Sequence, residues 1–409
     1  MARIVTKFGG TSVGDMDRIR SVAKRVKAAF ENGDEIAVVV SAMSGVTNQL
    51  VEYCRDASTL HDAREYDTVV AAGEQITSGL LAIALQDIGV PARSFLGWQV
   101  GIQTDDIHGA ARIESVDNTV LEDCLTSGRV AVVAGFQGVG PDGRITTLGR
   151  GGSDTSAVAL AAALKADCCD IYTDVNGVYT TDPRIVPLAQ KIDRITYEEM
   201  LEMASQGAKV LQTRSVALAM KHGVKVRVLS SFEDSPGTLV AGEDEILEQQ
   251  IVSGIAYTKG EAKVTLVGVK DRPGKVAQIF KPLAEANINV DMIVQNISDV
   301  GAATDVTFTV PDDDLKRAVK VIEDNKADLR YEELIYDSDV VKVSVIGVGM
   351  RSHAGVAQVM FDTLAAKNIN IMVISTSEIK ISVLIGAEYT ELAVRALHTA
   401  YGLDGEKQD

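Results

Sequence analysis

The chain has 409 residues, of which 46% are apolar, and a formal net charge of -17. This length and composition predict a globular protein with two or more domains. The negative charge argues against nucleic acid and against anionic membrane surfaces as partners, since both are bound by clustered Lys and Arg. The N-terminus does not resemble a secretory leader, and no run of 18 apolar residues occurs, so we expect a cytoplasmic protein. Its four cysteines and five histidines lack metal-ligand spacing, and no protein-bound metal site is predicted.

Short β-branched runs alternate with helical patterns from residue 2 to about 230, which predicts an α/β fold built on a mainly parallel sheet. The predicted strands are 3–8, 36–41, 92–96, 130–134, 169–173 and 225–229, and the clearest helices are 16–31, 75–88 and 155–164. Open sheets of this kind bind ligands at the carboxyl ends of their strands. Functional residues are therefore expected just after the strands.

Three loops rich in Gly, Ser and Thr lie at such positions: KFGGTSVG at 7–14, SAMSGVTN at 41–48 and LGRGGSDTS at 148–156. Glycines let backbone N–H groups approach phosphate oxygens, and Lys7 supplies a charge that can follow a migrating phosphoryl group. Arg150 can bind a carboxylate through two parallel hydrogen bonds, and Asp154 can organise nearby cations. Glu74, which precedes a predicted helix, either caps that helix or receives an ammonium group.

The segment YTDVNGVYTTDPR at 172–184 follows the predicted strand 169–173. Its Asp174, Tyr179 and Arg184 suit a nucleotide, through hydrogen bonds to ribose, a flat ring beside the base and a cation near phosphate. Lys209 is a further candidate phosphate contact. An acceptor carboxylate is already ionised at neutral pH, so phosphoryl transfer onto it needs positioning and charge neutralisation but no general base. The residues alone therefore indicate phosphoryl transfer to an anionic acceptor.

The C-terminal region contains an internal repeat. VTLVGV at 264–269 corresponds to VSVIGV at 343–348, VAQIF at 276–280 to VAQVM at 356–360, and AEANINV at 284–290 to AAKNINI at 365–371. Each copy predicts a small α+β module. The second copy lacks a last strand, and the apolar segment 251–257 could supply it, which would insert the first copy within the second.

The motifs KFGGTSV, SAMSGVTN, GRGGSDTSA and TDVNGVYTTDPR together resemble those of bacterial aspartate kinases, in the amino-acid kinase superfamily, and the resemblance covers essentially the whole chain. It implies an α/β amino-acid kinase domain at 1–235, a linker at 236–250 and two α+β ferredoxin-like ACT domains. These would occupy 264–336 for the first, and 251–263 plus 337–409 for the second.

The resemblance also implies ATP, Mg²⁺ and L-aspartate as ligands, and 4-phospho-L-aspartate as product. Lys7 and Asp154 would be catalytic. The aspartate side would comprise Ser41, Thr47, Glu74, Arg150, Gly151, Gly152 and Ser153. The ATP side would comprise Lys7, Gly9, Gly10, Thr173, Asp174, Tyr179, Asp182, Arg184 and Lys209.

ACT domains imply feedback regulation by lysine, threonine or both, and assembly into a homodimer or homotetramer. The candidate effector residues are Asp271, Gly274, Asn289, Asp291, Gln295 and Thr304 in the first module, and Asn368, Asn370, Ser375 and Glu378 in the second. For the asparagines a purely structural turn is an equally good interpretation. Two other functions remain open: a kinase for glutamate or acetylglutamate, and a catalytically silent amino-acid sensor.

Overall fold

The computed structural model describes residues 2–208, 210–245, 251–297 and 303–405. It forms two compact units. The first comprises Met1–Val178, Lys191–Ala204 and Lys209–Glu248. The second comprises Tyr179–Gln190, Ser205–Ala208 and Gln249–Asp409. Two short segments of the N-terminal half therefore belong to the second unit, within the range 1–235 that the sequence assigns to a kinase domain.

The described residues up to 245 contain fourteen strands. They are β1 Arg3–Phe8, β2 Glu35–Val40, β3 Ala92–Phe95, β4 Ile102–Thr104, β5 Ile113–Val116, β6 Val130–Ala134, β7 Gln137–Val139, β8 Ile145–Thr147, β9 Cys168–Thr173, β10 Val178–Tyr179, β11 Lys191–Ile192, β12 Arg194–Thr196, β13 Val226–Ser230 and β14 Thr238–Ala241. The main sheet has the order β12-β14-β13-β9-β1-β2-β6-β3. Its pairs are parallel except β13 with β14. A smaller sheet has the order β5-β4-β7-β8.

Eight helices accompany these strands in the described chain: α1 Met16–Glu31, α2 Val46–Ala57, α3 Ala63–Val70, α4 Ala72–Asp87, α5 Thr119–Thr126, α6 Gly152–Ala163, α7 Tyr197–Ser205 and α8 Thr213–His222. The apolar faces of α1 and α4 pack on the strands through Ile19, Val22, Leu81 and Leu85. Strands β2 and β6 are almost wholly buried, as expected when helices cover both faces of a parallel sheet. The stretch 63–87 is long and apolar enough to cross a membrane by composition, but half of it is buried inside the protein, as in core helices.

The second unit is built on a six-stranded antiparallel sheet with the order β16-β17-β15-β18-β20-β19. Its strands are β15 Gly254–Lys270, β16 Asp291–Ile297, β17 Ala303–Pro311, β18 Glu333–Ile346, β19 Val373–Thr376 and β20 Lys380–Gly386. Its helices are α9 Lys275–Glu285, α10 Leu315–Asp324, α11 Lys326–Leu329, α12 Val356–Ala366 and α13 Thr390–Ala400.

The two long central strands β15 and β18 each serve both copies of the repeat. The end of β15 pairs Val264 with Tyr336, whereas its beginning pairs Tyr257 with Val343. One core packs around Val264 and Phe308, and a separate core packs around Ile255 and Val343. The segment before the first copy thus lies in the sheet beside the second copy.

The predicted fold class is confirmed. Each of the six predicted strands is present within one residue at either end, and the predicted helix 16–31 matches α1. The small sheet β5-β4-β7-β8 was not predicted, because strands of three or four residues carry too little periodicity to identify.

Candidate functional site

A cavity of about 390 Å³ opens in the first unit beside the carboxyl ends of β1 and β2. It is lined by residues from all three predicted loops. They are Lys7, Gly10, Ser41, Ala42, Met43, Ser44, Gly45, Thr47, Glu74, Phe136, Gly149, Arg150, Gly151, Gly152, Ser153, Asp154 and Gln212. The cavity therefore brings together every residue predicted for the aspartate side, and both residues predicted to be catalytic.

A buried ion pair lies in this cavity. Lys7 Nζ is 2.6 Å from Asp154 Oδ1, and about a tenth of each side chain is exposed. Lys7 is on β1, which lies between two parallel neighbours, and Asp154 is in the first turn of α6. A carboxylate is favourable at a helix N-terminus. The pair holds a cation at a fixed point in the cavity wall.

The loops after β1 and β2 approach each other through their backbones. A Cβ added to Gly10 would lie 2.9 Å from the carbonyl oxygen of Ala42, so only glycine fits there without a shift. Gly9 donates its N–H to the carbonyl of Tyr172, next to the end of β9. The two loops therefore meet through main-chain atoms of Gly10 and Ala42, both of which line the cavity.

The third loop leads directly into α6. Gly149 and Gly151 both have positive φ, 75° and 73°, and Gly151 caps the helix. A 12-residue helix begins there. The N–H groups that a helix leaves unpaired at its N-terminus favour binding of an anion. Arg150, between the two glycines, is exposed, and no carboxylate in the described residues pairs with it. Its guanidinium can therefore receive a carboxylate from a ligand.

Glu74 is a second buried acid of the cavity, beside Asp154. Burial raises its pKa to about 7, although backbone N–H groups of Ala42 and of Glu74 itself oppose the shift. Its Oε2 has no hydrogen-bond partner among the described residues. A buried carboxylate oxygen without a partner is costly. A ligand ammonium would satisfy it, which favours the ammonium interpretation of Glu74 over a purely structural cap.

The residues predicted for ATP divide between the two units. Lys7, Gly9, Gly10, Thr173 and Asp174 belong to the first unit, and the Thr173 hydroxyl donates to Asp174. Tyr179, Asp182 and Arg184 belong to the second unit. Lys209 lies outside the described residues.

The segment that carries Asp182 and Arg184 is anchored within the second unit. The Arg184 guanidinium donates three hydrogen bonds to Asp182, the shortest at 2.8 Å, and these hold the pKa of Asp182 below its usual value. Ile185 and Val186 are buried in the core around Ile255 and Val343. Sequence reasoning did not foresee this packing, because nothing in the local pattern distinguishes a ligand loop from a loop that packs on a distant module.

Several lining residues were not predicted, and Phe136 and Gln212 are the most informative. Phe136 has a φ of 68°, which non-glycine residues rarely adopt, and its N–H donates a hydrogen bond to the Ser156 hydroxyl. Gln212 fills the space beside Gly151. No sequence signal marks either residue, since both reach the cavity through tertiary packing. The remaining unpredicted lining residues are Ala42, Met43, Ser44, Gly45 and Gly149, all inside the predicted loops.

The candidate effector residues lie at the repeated turns and strands of the second unit. Gly274 and Gly355 cap α9 and α12 with positive φ, and Asp291 on β16 pairs with the buried Lys342 at 2.7 Å. Thr304 donates to the carbonyl of Asn296. Asp271, Asn289, Asn370 and Glu378 are exposed, whereas Gln295 and Ser375 lie on β16 and β19.

The turn interpretation of the asparagines has direct support at one candidate. Asn368 follows the C-cap of α12 and has a φ of 55°, and Asn287, its counterpart in the first copy, also has a φ of 55°. Asparagine tolerates this left-handed conformation better than most residues.

In the described residues no group of three or more His, Cys, Asp or Glu side chains is placed to hold a metal ion.

Models of known protein families match the two parts of the chain separately. Residues 2–230 match the family model "Amino acid kinase family", and residues 264–325 and 343–401 match "ACT domain". Aspartate kinase from Stutzerimonas stutzeri is 56% identical over 405 residues, which cover 99% of this chain and 98% of that protein.

Two solved structures of E. coli aspartokinase III are also similar, at 28% identity and 97% coverage of this chain. The complex with aspartate and ADP, in the R-state, gives a TM-score of 0.80 and is covered over 99% of its length. The complex with lysine and aspartate, in the T-state, gives 0.75 and 98%.

Proposed function

Since this chain belongs to the aspartate kinases of the amino acid kinase family, we propose that it transfers the γ-phosphoryl group of ATP to the side-chain carboxylate of L-aspartate. The product is 4-phospho-L-aspartate, which begins lysine, threonine and methionine synthesis in the cytoplasm. One observation carries the proposal: Lys7, Glu74, Arg150 and Asp154 converge on a single cavity. It offers a cation for an α-carboxylate, a buried anion for an amino group and a fixed cation for a phosphoryl group.

In this mechanism an aspartate side-chain oxygen attacks the γ-phosphorus while the bond from that phosphorus to the β,γ-bridging oxygen breaks and ADP leaves. The attacking group is ionised at neutral pH, so no base has to take a proton. Arg150 holds the α-carboxylate and Glu74 the ammonium group, with Ser41, Thr47, Gly151, Gly152 and Ser153 completing the acceptor site. Lys7 neutralises charge on the moving phosphoryl group, and Asp154 fixes the position of Lys7.

For the nucleotide, we assign the phosphates to Lys7, Gly9 and Gly10, and the remainder of ATP to Thr173 and Asp174. Tyr179, Asp182, Arg184 and Lys209 stay predicted contacts. Mg²⁺ bound to ATP would supply further charge neutralisation and needs only one or two protein carboxylates. Asp154 on α6 and Asp174 just after β9 are two acids that would hold it.

Regulation belongs to the second unit, as paired ACT domains with the boundaries given above. We propose that lysine, threonine or both inhibit by binding at the ten effector residues named from the sequence, and that the chain assembles into a homodimer or homotetramer. Titrating activity with each amino acid, singly and combined, identifies the effector. Light scattering of the purified protein gives the assembly state.

The deciding experiment for the reaction is to trap the acyl phosphate with hydroxylamine in the presence of ATP and Mg²⁺. We expect hydroxamate with aspartate and none with glutamate or acetylglutamate. The opposite acceptor preference would reject the assignment. ATP-independent binding of lysine without any hydroxamate would instead support the silent-sensor alternative.

A further inference from the structure

Two side chains that do not line the cavity hold the backbone just before Arg150. The first is Asp67 on α3, which is completely buried. Its carboxylate accepts hydrogen bonds from the Thr147 N–H at 3.0 Å and from the Thr147 hydroxyl. It also accepts from the Gly109 N–H and contacts His108 Nδ1 at 2.7 Å. A buried acid with this many partners is an organising group for the segments around it.

The second is Arg214, near the start of α8. Its guanidinium donates to the carbonyl of Leu148 at 2.8 Å and to the carbonyl of Ala111 at 2.6 Å. Ala111 in turn donates its N–H to the carbonyl of Thr147. Burial lowers the pKa of Arg214, and no carboxylate of the described chain forms an ion pair with it. A partly buried guanidinium that donates only to neutral carbonyls positions the backbone more than it neutralises a charge.

The segment held in this way is the one whose geometry matters most. Residues 147 and 148 lead into Gly149, Arg150 and Gly151, and both glycines have left-handed backbone conformations. Glycine on each side of Arg150 gives this segment high conformational freedom in the absence of anchors. Downstream the segment is fixed by α6, and upstream by the bonds from Asp67 and Arg214.

We propose that Asp67 and Arg214 are positioning residues that hold the Arg150 segment in the conformation that binds the acceptor carboxylate. The inference rests on the proposed function of Arg150 as the group that binds the α-carboxylate of aspartate. Neither residue lines the cavity. Together they fix the main chain of Thr147 and Leu148. This in turn fixes the position of the Arg150 Cα, from which the side chain extends.

The test compares Arg214→Met with Arg150→Ala and with the double variant, using steady-state kinetics for aspartate and ATP. We expect Arg214→Met to raise the KM for aspartate roughly tenfold, since it removes two charge-assisted hydrogen bonds, while the KM for ATP and kcat stay within about twofold. In the Arg150→Ala background the same change should add less than about twofold, because its effect acts through Arg150. Lys221→Met, an exposed position in the last turn of the same helix, is the control and should change neither KM.

Thr147→Val tests the Asp67 side separately. It removes the hydroxyl that binds Asp67 but keeps the backbone N–H bond, so the KM for aspartate should rise less than with Arg214→Met. Arg214→Lys keeps a cation but not both donors, and should fall between wild type and Arg214→Met. If Arg214→Met does not fold, as judged by thermal unfolding, these two variants carry the comparison in its place.

The possible failures are distinguishable. If Arg150→Ala leaves the KM for aspartate unchanged, the acceptor site assignment fails and this inference fails with it. If Arg150→Ala acts as expected but Arg214→Met has no effect on the KM for aspartate, only the positioning role is overturned. The positioning role is also overturned if Arg214→Met raises the KM for aspartate as much in the Arg150→Ala background as in the wild type. It is overturned as well if Arg214→Met raises the KM for ATP as much as the KM for aspartate.

Discussion

The same local motif, a left-handed glycine followed by a helix, occurs at the cavity of the first unit and at the repeated turns of the second unit. The two places differ in how closely neighbouring atoms surround the glycine. At Gly151 an added Cβ would come within 2.0 Å of the Gln212 side chain, so neighbouring residues enclose this turn. At Gly274 and Gly355 an added Cβ would meet nothing within 4 Å. An enclosed turn is held by its neighbours before any ligand arrives, whereas an open turn receives no such support from neighbouring side chains.

The strongest test of the enclosed site is its buried ion pair. Replacing Lys7 with Ala should lower kcat by roughly 10²- to 10³-fold while changing the KM for aspartate much less, because the charge matters most as the phosphoryl group moves. Steady-state kinetics measures both. Lys24→Ala, an exposed lysine on α1, is the control. An unchanged kcat in Lys7→Ala would remove this residue from the chemistry.

Gly151→Ala tests the enclosure itself. The substitution forces a side chain into a left-handed backbone and against Gln212, so we expect it to lower the free energy of unfolding by about 2 kcal/mol or more and to raise the KM for aspartate. Denaturant unfolding and kinetics measure the two effects. Adding Gln212→Ala should recover part of the stability but leave the backbone strain. Full tolerance of Gly151→Ala would show that the turn is less constrained than its packing indicates.

Glu74 gives the enclosed site a pH dependence. Its pKa is about 7 in the free protein, so lowering the pH from 8 to 6 neutralises most of this carboxylate and should raise the KM for aspartate roughly tenfold. Glu74→Gln should have a high KM that no longer changes in this range. A wild-type KM that stays flat between pH 6 and 8 contradicts the assigned role.

The same pKa shift predicts the sign of a stability effect. The folded protein holds the Glu74 proton up to about pH 7, whereas the unfolded chain loses it at the ordinary, lower pKa. This group therefore destabilises the fold progressively as the pH rises through that interval. Thermal unfolding should show that Glu74→Gln stabilises the free protein more at pH 8 than at pH 5.

The open turns should give the smallest effects. Gly274→Ala and Gly355→Ala meet no neighbour, so each should cost only about 1 kcal/mol of unfolding free energy, from the left-handed backbone alone, and leave kcat without effector unchanged. Denaturant unfolding of both variants beside Gly151→Ala tests the contrast directly. A loss at either open turn as large as that at Gly151 would remove the distinction.

Residues on the strand-end loops could be predicted because carboxyl ends of parallel strands meet at one edge of a sheet. That rule sufficed to group Lys7, Ser41 and Asp154 without knowledge of any distance. The repeated modules of the second half could be predicted as well, because repeated sequence segments predict repeated strands and helices. The positive φ of Phe136 and the approach of Gln212 depend on long-range packing, which a single sequence does not encode in a local pattern.

The route of the chain has a practical consequence for dissecting the protein. Following the unit boundaries, the chain changes unit after Val178, Gln190, Ala204, Ala208 and Glu248, so no single cut separates the two. A fragment ending at residue 248 would retain Ile185 and Val186 while losing the core in which they are buried. Such a truncation would present two new apolar side chains to solvent. Loss of activity in that fragment would therefore report damaged packing, and regulation is better removed by point substitution than by deletion.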